Sequence, residues 1–250
     1  MARFELTDKE WSLIKPLLPD RPRGVARVDD RRVLNGIFYI LRTGSPWRDL
    51  PERYGPYTTV YNRFNRWAKA GVWLRVAQSP QSMQMIDSSI VRAHLHAAGG
   101  KKGGPDNAIG RSRGGLTSKI HAAVDETGMP LRILLTAGQA SDKAAVPELI
   151  ATLKPGRDLV ADRGYDWMAL VELVRKRGGA THIPTQRDRK TQRSVSPAIY
   201  RQRNVIERFS NKLKHFRRIA TRYDKLASNF LAAVLLGSIR LWTRIYESTT

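Results

Sequence analysis

Near residue 80 the hydrophobic pattern changes from the period of helices to the period of strands, and that change governs what the chain can fold into. Upstream, apolar residues recur three and four apart. Thr7 stands at an N-cap position with Glu10 as its capping-box partner, ahead of Trp11, Ile14, Leu17 and Leu18, and Pro19 ends the stripe. A second helix opens at Asp29 or Asp30, carries Val33, Ile37, Ile40 and Leu41, and closes at Gly44, Ser45 and Pro46. A third, over 58–69, sets Val60, Phe64 and Trp67 on one side and Asn62, Arg63 and Arg66 on another. Residues 1–80 therefore outline a small all-helical region of helix, turn and helix, with Ser79, Pro80 and Gln81 reading as a linker.

Downstream, Met85, Asp87, Ser89 and Val91 alternate with Gln84, Ile86, Ser88 and Ile90 as in a strand. A Gly/Lys loop over 99–105 follows. The runs 116–124 and 131–136 are β-rich and joined by Asp125, Glu126, Thr127 and Gly128, which is hairpin turn chemistry. A helix capped by Ser141 or Asp142 runs through 153, followed by a short buried strand over 159–161, a helix over 167–176 and a last strand over 180–183. A polar, basic loop at 186–196 leads to terminal helices at 197–216 and 225–246. The order predicts an α/β domain over 81–250, built on a mixed five-stranded sheet flanked by helices.

Charge narrows the function. The chain carries 44 Lys and Arg against 22 Asp and Glu, a net +22. An excess of that size calls for a polyanionic partner, and nucleic acid is the commonest; a merely basic soluble enzyme is the weaker alternative. No cysteine is present, which excludes disulfides, thiolate zinc sites, iron–sulfur clusters and cysteine nucleophiles, and suits a reducing cytosol. The longest apolar run, 230–239, falls short of the roughly 20 residues that span a bilayer, and no secretory signal pattern stands at 1–11, so a cytoplasmic location without a membrane partner is expected.

Two carboxylates sit oddly. Asp87 lies mid-strand among Met85, Ile86 and Ile90, and Asp162 follows Leu159, Val160 and Ala161 at the carboxyl end of a strand, where open α/β sheets place ligands. Buried there, a carboxylate needs a partner, hydrogen bonds or a cation. Taken alone, a strand-end Asp commonly just caps a turn. A third acid, Glu207, shares a helical stripe with Tyr200, Arg203, Asn211 and Lys214, opposite Val205, Phe209, Leu213 and Phe216. An ordinary solvated face with an Arg203–Glu207 ion pair accounts for that stripe equally well. Three carboxylates on a basic chain suit phosphodiester cleavage, in which two Mg²⁺ ions roughly 3.5–4 Å apart activate the nucleophile and steady the leaving oxygen. In that arrangement Asp87 bridges the ions, Asp162 and Glu207 each hold one, and Arg203 and Lys214 hold phosphates. Residues 186–225 contain thirteen Lys and Arg against Asp188, Glu207 and Asp224, a local +10 suited to DNA phosphates.

Other chemistries lack support. His94 and His96 have no third ligand near in sequence, Lys101 and Lys102 are followed by Gly103 where a phosphate loop needs Ser or Thr, and Ser88, Ser89 and His94 sit in no nucleophile elbow.

Four segments taken together are similar to the DDE transposases of bacterial insertion sequences, in the group named after insertion sequence five: Asp87 within Ile-Asp-Ser-Ser-Ile-Val-Arg-Ala-His, Arg113 to Lys119 within Arg-Gly-Gly-Leu-Thr-Ser-Lys-Ile-His, Asp162 within Asp-Arg-Gly-Tyr-Asp, and the spaced set Tyr200, Arg203, Glu207, Lys214. The resemblance extends over almost the entire chain, including Trp11 and the Gly44-Ser-Pro-Trp-Arg segment. It implies a ribonuclease-H-like core, two Mg²⁺ or Mn²⁺ ions per active site, and cleavage followed by strand transfer at transposon ends. It assigns Asp87, Asp162 and Glu207 as catalytic metal ligands and Tyr200, Arg203 and Lys214 as DNA contacts. Lys212, Arg113 and Lys119 are expected to join them, with Thr58, Asn62, Arg63 and Arg66 reading DNA from the third helix. The implied partners are double-stranded DNA, as terminal repeats and target, and a second copy of the chain in a synaptic complex, with no nucleotide cofactor and a place on the nucleoid. A domesticated or decayed relative that only binds DNA is the alternative. The join at 76–83 is shorter than such chains usually have.

Overall fold

Thr7 Oγ1 accepts from the Glu10 N–H at 3.0 Å and Glu10 Oε2 from the Thr7 N–H at 2.8 Å, so the first helix starts where its capping box lies. The computed structural model describes residues 4–19, 28–75, 83–98 and 107–249. The expected linker at 79–81, the Gly/Lys loop at 99–105 and nearly all of the short join at 76–83 lie outside the described residues.

The described elements are α1 (Asp8–Ile14), α2 (Asp30–Thr43), α3 (Tyr57–Lys69), β1 (Met83–Ala93), β2 (Gly110–Ser112), β3 (Gly115–Asp125), β4 (Pro130–Ala137), α4 (Asp142–Leu149), β5 (Asp158–Val160), α5 (Met168–Lys176), β6 (Thr181–His182), α6 (Pro197–Arg201), α7 (Asn204–Lys214), α8 (Arg217–Ala220), β7 (Thr221–Arg222) and α9 (Ala227–Thr249). By contact they form two compact units, Met1–Val76 with Arg92–Asn107 and Lys212–Thr250, and Ala77–Val91 with Ala108–Asn211. The division at residue 80 read from the sequence assigns the terminal helices to the sheet, whereas contact groups 212–250 with the first helices. The physical reason is α9. Its Phe230, Ala233, Val234, Leu236 and Ile239 are buried, and it packs on α1 and α3.

In this helical unit α2 is capped by Asp29, whose Oδ1 accepts from the Arg31 N–H, and ends at Gly44 with φ +77°, a left-handed C-cap that favours glycine. Val33, Leu34, Ile37, Phe38, Ile40 and Leu41 are buried. Burial also takes in charge. Glu10 and Arg240 are both buried and meet at 3.0 Å.

The other unit is built on the sheet, whose order is β2-β3-β1-β5-β6, with β4 paired to β3; β7, in the helical unit, pairs the last two residues of β1. The expected strands are all present, and β2 and β7 are short additions whose two or three residues carry too little pattern to be read. β5 runs parallel to β1 with Met85 opposite Val160, and β6 runs parallel to β5. The hairpin between β3 and β4 closes on Asp125, whose Oδ1 accepts from the Thr127 and Met129 N–H groups at 2.9 Å each, with Gly128 at φ +86°. Every residue of β3 from Thr117 to Asp125 is buried. Ile86, Ala123, Leu149, Leu159, Ala161, Tyr165 and Leu170 share the core beneath. Among the described residues, no helix is long and apolar enough to cross a membrane.

Candidate active site

β1 and β5 lie side by side in parallel, and their register sets two carboxylates level. Met85 pairs with Val160, and continuing that register by two residues sets Asp87, in the middle of β1, level with Asp162, just past the end of β5. Asp162 then caps the turn Arg163–Tyr165, its Oδ1 accepting from the Gly164 N–H at 2.9 Å. A side chain at Gly164 would begin 3.0 Å from that oxygen, which is why glycine suits the position.

Glu207 arrives on α7. The sequence predicts one helix over 197–216, but the chain breaks between α6 and α7. Gln202, Arg203 and Val205 donate to carbonyls three residues back, at 3.0, 3.0 and 2.9 Å, so the backbone tightens there by one turn of 3₁₀ type. Ile206, Phe209 and Leu213 are buried, and the Glu207 stripe faces away from them. Arg203 forms an ion pair with Glu207, and its guanidinium carbon lies 5.7 Å from the Tyr200 ring centre.

Electrostatics ties the three acids together. Burial pushes the Asp87 carboxyl up to about 6, and the charges of Asp162 and Glu207 push in the same direction; the Ser88 backbone N–H and Arg203 pull it down. Among the described residues, no three of His, Asp and Glu stand close enough to hold an ion in this arrangement. The donor set nonetheless suits a hard divalent cation, being all carboxylate oxygen, with one member pushed up chiefly by burial and further by its two acidic neighbours.

The expected DNA contacts separate into two groups. Thr58, Asn62, Arg66, Arg113, Lys212 and Lys214 are exposed, while Tyr200 and Arg203 are half-buried. Arg63 is not available. It is buried, pairs with Asp30 and lies 5.4 Å from the Trp67 ring centre, because its place on the Val60, Phe64, Trp67 stripe turns it inward. Lys119, also expected as a DNA contact, is likewise engaged within the protein. It is buried on β3, 2.9 Å from Asp142 Oδ1 and 2.7 Å from the Ala140 carbonyl. Sequence reading did not anticipate that Ser88 Oγ donates to Asp142 Oδ1 at 2.7 Å, or that the Tyr165 hydroxyl lies near enough to feel the charges of Asp142, Asp87 and Asp162. The signal present was a lone cation in a strand otherwise free of charge from 116 to 124, which needs an acid nearby.

Comparison with known proteins decides the family. A family model described as "Transposase DDE domain" matches residues 78–242. The chain belongs to the DDE transposases of insertion sequences. Residues 6–77 of this transposase match a second model, "Putative transposase of IS4/5 family". The "Putative transposase for insertion sequence element IS6501" of Brucella ovis is 35% identical over 130 residues, covering 52% of this chain and 100% of that protein. The "Putative transposase for insertion sequence element IS402" of Burkholderia cepacia is 33% identical over 150 residues, 56% of this chain and 67% of that protein. In fold, the transposase is similar to the chain in "Cryo-EM structure of piggyBac transposase synaptic complex with hairpin DNA", with TM-score 0.56 and 9% identity over 96% of this chain and 70% of that one. Its sheet with flanking helices is a ribonuclease-H-like core. The transposase works by DNA strand cleavage and strand transfer, in a family that uses divalent metal.

Proposed function

We propose that Asp87, Asp162 and Glu207 are the metal ligands of this transposase and that two Mg²⁺ or Mn²⁺ ions bind per site. The observation carrying this reading is that Asp162 and Glu207 both lie near enough to Asp87 for their charges to add to burial in pushing its carboxyl up to about 6. Such ions supply charge neutralisation and an activated oxygen nucleophile at a phosphodiester. The chain's own residues do the rest. Asp87, level with Asp162, offers oxygens from the sheet; Glu207 offers a third set after its side chain turns from Arg203, and Arg203 is then released to a DNA phosphate. Tyr200 supports Arg203 from beneath in both states.

The substrates in this reading are terminal-repeat and target duplexes, held by a homodimer that brings two transposon ends together. The helical region over 1–80 binds DNA with the outer face of α3, where Thr58, Asn62 and Arg66 are exposed, and Arg113, Lys212 and Lys214 neutralise backbone phosphates. No nucleotide cofactor takes part. A nicking and strand-transfer assay on end-bearing DNA with Mg²⁺ tests this: Asp87→Asn, Asp162→Asn and Glu207→Gln each abolish cleavage and keep DNA binding. Cleavage surviving any one of them removes that residue from the set.

A further inference from the structure

A string of polar contacts runs from β3 to the Asp87 carboxylate through residues to which no role has been given. Lys119 Nζ lies 2.9 Å from Asp142 Oδ1, on the first turn of α4. Ser88 Oγ donates to that same Asp142 oxygen at 2.7 Å. Ser88 directly follows Asp87 in β1, and its backbone N–H pulls the Asp87 carboxyl down. Lys119 is anchored in turn by the Ala140 carbonyl at 2.7 Å, and β3 is the sheet neighbour of β1. The buried Tyr165 hydroxyl feels the charges of Asp142, Asp87 and Asp162, which together with burial raise it, so it remains a neutral phenol.

We infer that Lys119, Asp142 and Ser88 form a positioning string for Asp87, fixing the direction in which that carboxylate presents its oxygens and keeping Asp142 out of the ligand set by pairing it. Each link has a physical reason. A buried ammonium on a strand covered on both faces must be answered by an acid, and Asp142 answers it. With its Oδ1 taken by Lys119 and Ser88, Asp142 has one oxygen fewer to offer a cation. Ser88, tied to Asp142 through its Oγ, in turn fixes the stretch of β1 that carries its neighbour Asp87. Groups that orient a metal ligand in this way typically change metal affinity about 10–100-fold when removed.

The inference rests on Asp87 being a metal ligand, and the experiment separates the two. Mn²⁺ affinity of the full chain is measured by calorimetry for wild type, Lys119→Met, Ser88→Ala and Asp87→Asn, beside DNA affinity and folding by thermal melt. Lys119→Met and Ser88→Ala are expected to weaken Mn²⁺ binding by about 10-fold or more while DNA affinity holds and Lys119→Arg recovers most of the loss. If Lys119→Met does not fold, Ser88→Ala, which removes one hydroxyl, decides. Folded variants with wild-type Mn²⁺ affinity overturn the string. So does a fall in DNA affinity with Mn²⁺ binding intact, which would make Lys119 a DNA contact. Wild-type Mn²⁺ binding by Asp87→Asn overturns the triad instead, and the string with it.

Discussion

Charge is treated in opposite ways at three buried ions of the helical unit and at Asp87 in the sheet unit. In the helical unit three buried ions are answered where they lie: Glu10 meets Arg240 at 3.0 Å, Arg63 pairs with Asp30, and the fully buried Arg222 donates to the carbonyls of Asn107, Asp224 and Lys225. In the sheet unit burial first, and then the charges of Asp162 and Glu207, push the Asp87 carboxyl up to about 6 against the pull of the Ser88 N–H and Arg203. The matched charges support stability, whereas Asp87, in the proposed metal site, is left short of counter-charge, at a cost in stability that a bound cation would offset.

The comparison breaks or sharpens at measurable points. Neutralising Asp87, Asp162 or Glu207 is expected to cut DNA cleavage by on the order of 10³-fold or more, with gel-shift affinity unchanged; a variant that still cleaves removes the chemical half of the contrast. In the helical unit the equivalent loss is structural. Glu10→Gln leaves Arg240 buried without its counter-charge and is expected to lower unfolding free energy by about 3–5 kcal/mol, read from denaturant midpoints. Asp87→Asn should do the reverse. Its folded carboxyl titrates above the unfolded value, so the ionised form resists folding, and stability is lost as pH rises from near 3.8 through about 6. At pH 8 the Asn variant should therefore be more stable than wild type by about 1–2 kcal/mol, and the gain should vanish near pH 4. A gain that persists there shows that charge is not its source.

The smallest effect concerns two arginines on α3. Arg66→Ala, on the exposed side, should weaken DNA binding by about 10-fold and lower the salt slope by about one unit. Arg63→Ala should leave the slope alone and reduce stability through loss of the Asp30 pair and the Trp67 contact. Identical salt slopes for both variants would undo the distinction between them.

Much of the fold was legible because its signals are local. The Thr7–Glu10 capping box, the Gly44 stop and the Asp125 hairpin involve residues within a few positions of one another, and each forms as the sequence predicts. The helix break at 202–203 was not legible, since the residues on both sides keep one helical stripe and only the tightened hydrogen bonds reveal it. Arg63 and Lys119 were misread for a related reason. A cation within an apolar pattern looks like a DNA contact until its acid is found, and those acids, Asp30 and Asp142, lie far away in sequence.

What the chain settled by itself was the kind and order of its elements and the three acids worth examining, because caps, periods and motif spacings act over a handful of residues. Tertiary structure alone decided which charges face solvent, which are consumed by partners and which press on one another. That outcome depends on strands β1, β3 and β5 standing side by side, a juxtaposition of distant segments on which local sequence has no purchase.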